Sequence, residues 1–517
     1  MATPSDKLAQ SLEILKSIQD QNIVAIRSSH ITRTHRERLL KNGFIKEVMK
    51  GWYIPSSPSE LPGESTSWYA SFWKFAADYL NSRFQDEWCL NPEQSINIHS
   101  GDWSVPKQLL VRSPKGGNKP TTLLHDTSIF DVRLAIPNKQ ERLIIDDIQV
   151  MSLPVALIHC TPNHFLTHPI QLRAVLATIT DGSDILRHLL NGSHSKISGR
   201  LAGAFRNIGR THIADNIVNT MRSADYKVNE VDPFKNNSSI IFNDRETSPY
   251  VNRLRLSWAL MRESVLEHFP TPPRNPVKAD AYLKQVDDIY ITDAYHSLSI
   301  EGYKVSHELI KRVQSGDWSP ETNEKDFNER NAMAARGYWQ AFQAVKQSLE
   351  QILTSKEIGV VIKDDHSKWF VELFSPSVAA NILKTTDLAG YRNQPVYIRR
   401  SKHVPPSIQA VRELMPAFFE LLQKEDEPAV RAVLGHFFFV YIHPYIDGNG
   451  RMGRFIMNAM LASGGYPWTV VPVERRDEYM SALEEASTKQ NIIPFTQFIA
   501  QQINAIYERK SKSKKQF

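Results

Sequence analysis

The chain has 517 residues, 41% hydrophobic and 23% charged, with 62 Lys/Arg against 56 Asp/Glu for a net charge of +6. These values fit a globular chain of about three domains and exclude a disordered or fibrous one. Cys89 and Cys160 are far apart without metal-ligand spacing, no run approaches about 18 apolar residues, and Met1–Lys16 lacks a leader-like core. A cytoplasmic protein with no membrane partner is therefore expected.

The positive charge lies at the ends. Residues 1–53 hold nine Lys/Arg against five acids and Arg509–Lys515 adds five cations, so the body between them is slightly acidic. Asp6–Gln19 spaces Leu8, Leu12, Leu15 and Ile18 as an amphipathic helix. Ile23-Val24-Ala25-Ile26 and Ser28–Thr32 lead to a basic run, Arg33–Lys41, which Asn42-Gly43 stops. Phe44–Ile54 alternates as a short hairpin. Two helices, a basic helix and a β-wing over 1–56 give the layout of a winged helix-turn-helix. Its third helix would carry Arg33, Arg36 and Arg38 into a major groove. Residues 21–53 have seven Lys/Arg against two acids, enough to attract DNA phosphates, although such a module also serves for protein interaction. The wing Lys50-Gly51-Trp52-Tyr53 resembles that of AbiEi-type antitoxins and related regulators, with 57–225 as a companion α+β middle domain.

In that middle region Trp68–Asn81 reads as a helix, Ser95–Val150 as short β-like segments, and Gln171–Leu190 and Ile197–Met221 as helices. His159, Cys160 and His164 lack a fourth ligand and make no metal site. No function follows from this region. Residues 226–249 are polar and charge-mixed, including Asn236-Asn237-Ser238-Ser239, and read as a linker. Helical spacing then continues over 250–508, before a basic tail at 509–517.

In Tyr295-His296-Ser297-Leu298-Ser299-Ile300-Glu301-Gly302, Gly302 ends a helix and presents Glu301 near its end. Alone, Ser297 and Glu301 at i, i+4 are ordinary helix decoration. Gly390–Ile398, followed by His403-Val404-Pro405-Pro406, reads as an extended strand-turn segment.

The most informative stretch is His443-Pro444-Tyr445-Ile446-Asp447-Gly448-Asn449-Gly450-Arg451-Met452-Gly453-Arg454. Apolar helical patterns, Val433–Ile442 and Phe455–Leu461, flank it, so the reading is helix, tight loop, helix. Free N–H groups and the helix dipole make such a loop an anion site, and Gly448 and Gly450 allow the backbone to form a nest. Arg451 and Arg454, three apart, share a face and repel unless a polyanion lies between them. A nucleotide polyphosphate suits that place.

This string is similar to the signature of the Fic family, His-Pro-Phe-x-Asp-Gly-Asn-Gly-Arg-x-x-Arg, with Tyr445 in place of Phe as an aromatic plug whose hydroxyl needs a partner. The resemblance extends over roughly the C-terminal half. It implies a mainly α protein: an all-helical Fic domain with a β-hairpin flap, preceded by the winged helix-turn-helix and the α+β domain. It also implies Mg²⁺-dependent transfer of AMP from ATP to a Ser, Thr or Tyr hydroxyl of a protein target, which this chain itself could supply. His443 would be the base, Asp447 the metal ligand, and Gly448, Asn449, Gly450, Arg451, Gly453 and Arg454 the phosphate site. Tyr479 would line the base pocket, although it suits plain core nearly as well. Ser297, Glu301 and Gly302 match the inhibitory motif of members that carry their own inhibitory helix. Val396, Tyr397 and Ile398 fall in the flap, where a target backbone adds as a strand. Ser487 stands where some members have an Asn that holds the base, so transfer of UMP or phosphocholine, or removal of AMP, stays open. So do a DNA-binding regulator of toxin–antitoxin type and a homodimer.

Overall fold

A computed structural model describes residues 3–60, 64–234, 248–273, 278–316, 330–354 and 357–514, with side chains as far as 509. Most of the expected linker 226–249 and nearly all of the basic tail's side chains lie outside the described residues. Contacts divide the chain into two compact units, one of Met1–Arg253 with Tyr397–Val404, the other of Leu254–Val396 with Pro405–Phe517.

The first unit begins with the helix Pro4–Asp20, whose Thr3 and Asp6 form a reciprocal capping box. Strand β1 (Ile26–Arg27), the helix Arg33–Lys41, β2 (Ile45–Met49) and β3 (Trp52–Pro55) follow, and the strands pair antiparallel in the order β1-β3-β2. No helix forms between Asp20 and Arg33, so the basic helix is the second of this region and not the third. Ala25, Val48 and Ile54 share one core with Trp68, Phe72 and Phe75 of the helix Thr66–Phe84 and with Leu109, Val111 and Ile129. The division expected at 56/57 is thus bridged by common burial. The sheet of β4 (Cys89–Leu90), β5 (Gln108–Ser113), β6 (Pro120–Thr122) and β7 (Ser128–Arg133) runs in the order β4-β5-β7-β6, with β5 and β7 parallel. Pro92–His99 is helical, which the β-like reading of 95–150 did not anticipate. The β8–β9 hairpin (Arg142–Ile145, Ile148–Met151) and the helices from Leu153 to Ser223 complete the unit around a second core.

In the second unit the helices Pro428–Ile442 and Asn449–Ser463 are buried on nearly every side; the first is largely apolar, and the second buries the polar Asn449, Arg451, Arg454 and Asn458 along with its apolar residues. The helices Ala279–Ile300, Arg330–Ile352, Ile358–Ala379 and Ile408–Lys424 bury apolar faces in the same unit. The expected flap, 390–404, is extended but pairs with no strand among the described residues. Pro395, Pro405 and Pro406 remove backbone donors there, and a lone segment needs a partner to become a ladder. Its Tyr397–Val404 portion belongs to the first unit, where Val105 N–H donates to the Lys402 carbonyl at 2.9 Å.

Candidate active site

The site is the join between the two central helices of the second unit. The first helix ends when His443 takes a left-handed conformation, φ +53°, uncommon for a residue with a side chain. His443 Nδ1 lies 3.1 Å from the Val440 carbonyl. A carbonyl only accepts, so Nδ1 carries the proton and Nε2 keeps its lone pair. Desolvation lowers the ring's pKa to about 4, against the opposing Val440 hydrogen bond. Neutral imidazole is therefore the form present near pH 7.

Arg392 holds this turn. Its Nε donates to the His443 carbonyl at 2.8 Å and its backbone N–H to the Pro444 carbonyl at 2.8 Å, while its guanidinium also reaches the Gln394 and Pro406 carbonyls. Nothing in the local sequence pattern marks Arg392, because its side chain reaches a carbonyl 51 residues away.

Tyr445 stacks on Phe370 with ring centroids 3.8 Å apart. Its buried hydroxyl, expected to find a partner, has none among the described residues, and burial raises its pKa. Asn449 does not turn its amide toward an anion: Oδ1 accepts the Tyr445 N–H at 2.9 Å and Nδ2 donates to the Tyr445 carbonyl at 2.8 Å. It clamps the loop.

Gly448, φ +81°, caps the second helix, and a Cβ there would strike the Phe374 ring. The first intrahelical bond runs from Met452 N–H to the Gly448 carbonyl, which leaves the Asn449, Gly450 and Arg451 N–H groups at a positive helix end. The Glu301 carboxylate lies over this end, where a Cβ on Gly450 would collide with Oε1. Gly453 serves packing, since a Cβ would press on Val440.

The two arginines diverge. Arg451, 1% exposed, lies between the Tyr303 and Phe374 rings and reaches Asp447 Oδ1 at 3.4 Å. Arg454 donates Nε to Ser297 Oγ at 2.9 Å and one terminal nitrogen to the Ser297 carbonyl at 3.0 Å and to Glu301 Oε1 at 2.7 Å. Burial lowers its pKa, but the Glu301 charge and hydrogen bond outweigh that and raise it. Among the described residues Arg454 Nη1 is buried without a hydrogen-bond partner. Ser297, Glu301 and Arg454 thus meet across 157 residues of sequence, with Gly302 (φ +88°) just beyond the helix.

Tyr479 is core: it is 1% exposed, bonded to His436 Nε2 at 2.7 Å, and burial pushes its pKa up to about 12. Asp447 has a side chain 55% exposed, with Oδ1 taken by Gly448 N–H and Arg451. No group of three or more His, Cys, Asp or Glu side chains is placed to hold a metal ion among the described residues. One exposed carboxylate suits Mg²⁺, which keeps waters and phosphate oxygens as its other ligands. In the first unit Arg33 pairs with Glu37 at 2.6 Å and Arg36 lies over Tyr53. Arg38 turns inward to the Lys7 carbonyl and Ser11 Oγ, so the three do not form one outward face.

Residues 369–461 match the Fic/DOC family. Among curated relatives, Protein adenylyltransferase Fic of Drosophila yakuba is 30% identical over 217 residues, 41% of this chain and 40% of that one. The protein of that name from Nematostella vectensis is 29% identical over 221 residues, 42% and 48% of the two chains. The chain spans under half the length of these relatives. A solved Fic-1 structure from C. elegans is 20% identical and covers 65% of this chain and 94% of that one with a TM-score of 0.39.

Proposed function

Since the chain carries a domain of the Fic/DOC family, we propose that it transfers AMP from ATP to a hydroxyl side chain of a protein, and that Glu301 holds it inactive. The carrying observation is the neutral His443, its Nε2 lone pair free, at the mouth of a helix N-terminus whose Arg454 is held by Glu301.

The target hydroxyl oxygen attacks the α-phosphorus. The new O–P bond forms as the bond to the bridging oxygen breaks, pyrophosphate leaves with that electron pair, and the hydroxyl proton passes to His443 Nε2. The Asn449, Gly450 and Arg451 N–H groups stand ready for the charge that develops on the phosphate oxygens. Arg454, released from Glu301, binds an outer phosphate by charge-assisted hydrogen bonds. Mg²⁺ bound through Asp447 and phosphate oxygens would neutralise charge on the leaving group. While Glu301 covers the helix end, its carboxylate holds the place of a phosphate and ATP cannot seat productively.

The test is incubation of the full chain with α-labelled ATP and Mg²⁺, wild type against Glu301→Gly, with the label followed on protein. Label from UTP or CDP-choline in place of ATP would change the group transferred, and label loss from modified protein would make the enzyme a remover of AMP. Absence of labelling in every case overturns the reading. A second reading, DNA binding through residues 21–53, rests on their seven Lys/Arg against two acids. A gel shift across a salt series decides it.

A further inference from the structure

The first unit contains a cavity of about 410 Å³ that has no part in the chemistry above. Its wall is apolar where Ile136, Pro137, Val155 and Ile158 line it, and its rim is basic: Arg112 from β5, His159 at the end of its helix, His188 and His194. Among the described residues Glu141 is the only acid that lines it, and its carboxylate lies 3.7 Å from His188 Nδ1. No hydrogen bond or ion pair holds the Arg112 guanidinium among the described residues. His194 is fixed against Gly192, where any Cβ would collide with its ring. Desolvation and then Arg112 lower the pKa of His159, which favours its neutral ring, a hydrogen-bond donor through one nitrogen. The histidines do not assemble a metal site among the described residues.

We propose that this cavity binds a small phosphate monoester, with the phosphate among Arg112, His159, His188 and His194 and an apolar body against Ile136, Val155 and Ile158. A dianion offers three terminal oxygens to the guanidinium fork and the ring N–H groups, more than a carboxylate can supply. The volume lies within the range of small-ligand sites, and an apolar wall with a few convergent polar groups is their common build.

Titration calorimetry of the full chain with phenyl phosphate, benzoate and benzyl alcohol tests this. Phenyl phosphate binds, benzoate binds more weakly, and benzyl alcohol does not bind. Arg112→Gln weakens phenyl phosphate by at least about tenfold, a loss matching one charge-assisted contact, and His159→Gln weakens it by a smaller factor. Arg454→Ala leaves it unchanged, which separates this cavity from the phosphate site of the second unit. No binding by wild type at about 10 mM, loss of binding in Arg454→Ala, or equal affinity in wild type, Arg112→Gln and His159→Gln each overturns the proposal.

Discussion

The Glu301 carboxylate meets the Arg454 guanidinium at 2.7 Å, with Arg454 4% and Glu301 25% exposed in their side chains. The same guanidinium is bonded to Ser297 by side chain and backbone, so the end of one helix is fastened to the second turn of another. One carboxylate thereby takes both the arginine and the helix dipole that a phosphate would use.

Glu301→Gly should therefore raise AMP incorporation at fixed ATP by roughly 10- to 100-fold, the equivalent of one charge-assisted hydrogen bond of about 1.5–3 kcal/mol released to the nucleotide. Glu301→Gly with Arg454→Ala should not show the gain. Label incorporation by wild type and both variants decides, and equal labelling of wild type and Glu301→Gly makes the pair purely structural.

His443→Ala in the Glu301→Gly background should lower transfer by ~10²–10⁴-fold while ATP affinity, read by calorimetry, stays within a small factor. With the imidazole pKa lowered to about 4, the base is neutral throughout the ordinary range. The His443 contribution to rate should be flat from pH 8 downward and fall only as pH approaches about 4.

Stability should fall with acid over a different window. His443 and His436, lowered by burial from 6.5 to about 4 and about 3, bind protons later in the folded than in the unfolded chain. The unfolded state gains protons first as pH drops below 6.5, so unfolding becomes easier from there down toward pH 4. Denaturant midpoints at pH 7 and pH 5 test the sign: a midpoint higher at pH 5 contradicts it.

Tyr445→Phe should be neutral or stabilising. The ring stacking on Phe370 is retained and a buried hydroxyl without a partner is removed, a group whose desolvation costs about 1–3 kcal/mol. A clear fall in Tm would mean that the hydroxyl has a partner, such as an ordered water.

Arg392→Lys should lower kcat with little change in the KM for ATP. A lysine keeps the charge but cannot span the His443, Gln394 and Pro406 carbonyls with a planar fork, so the left-handed His443 turn loosens. If KM for ATP rises and kcat does not change, Arg392 acts in nucleotide binding and not in holding His443.

Sequence alone determined the parts whose chemistry is local. Eight identities between His443 and Arg454 define a helix, a tight loop and a second helix, and Gly302 marks where the Glu301 helix ends, because turn, cap and periodicity depend on neighbours within a few residues. What each side chain does was decided by tertiary packing. Arg451, Gly453 and Tyr479 all match the phosphate or nucleotide pattern, yet packing turns the first between two aromatic rings, the second against Val440 and the third to His436. Arg392 gained its place from carbonyls that only the folded chain brings near, and the basic helix lost one of its three arginines to the Lys7 carbonyl. A buried donor must find an acceptor wherever the fold puts one, and that acceptor can lie 157 residues away, beyond the reach of any sequence periodicity.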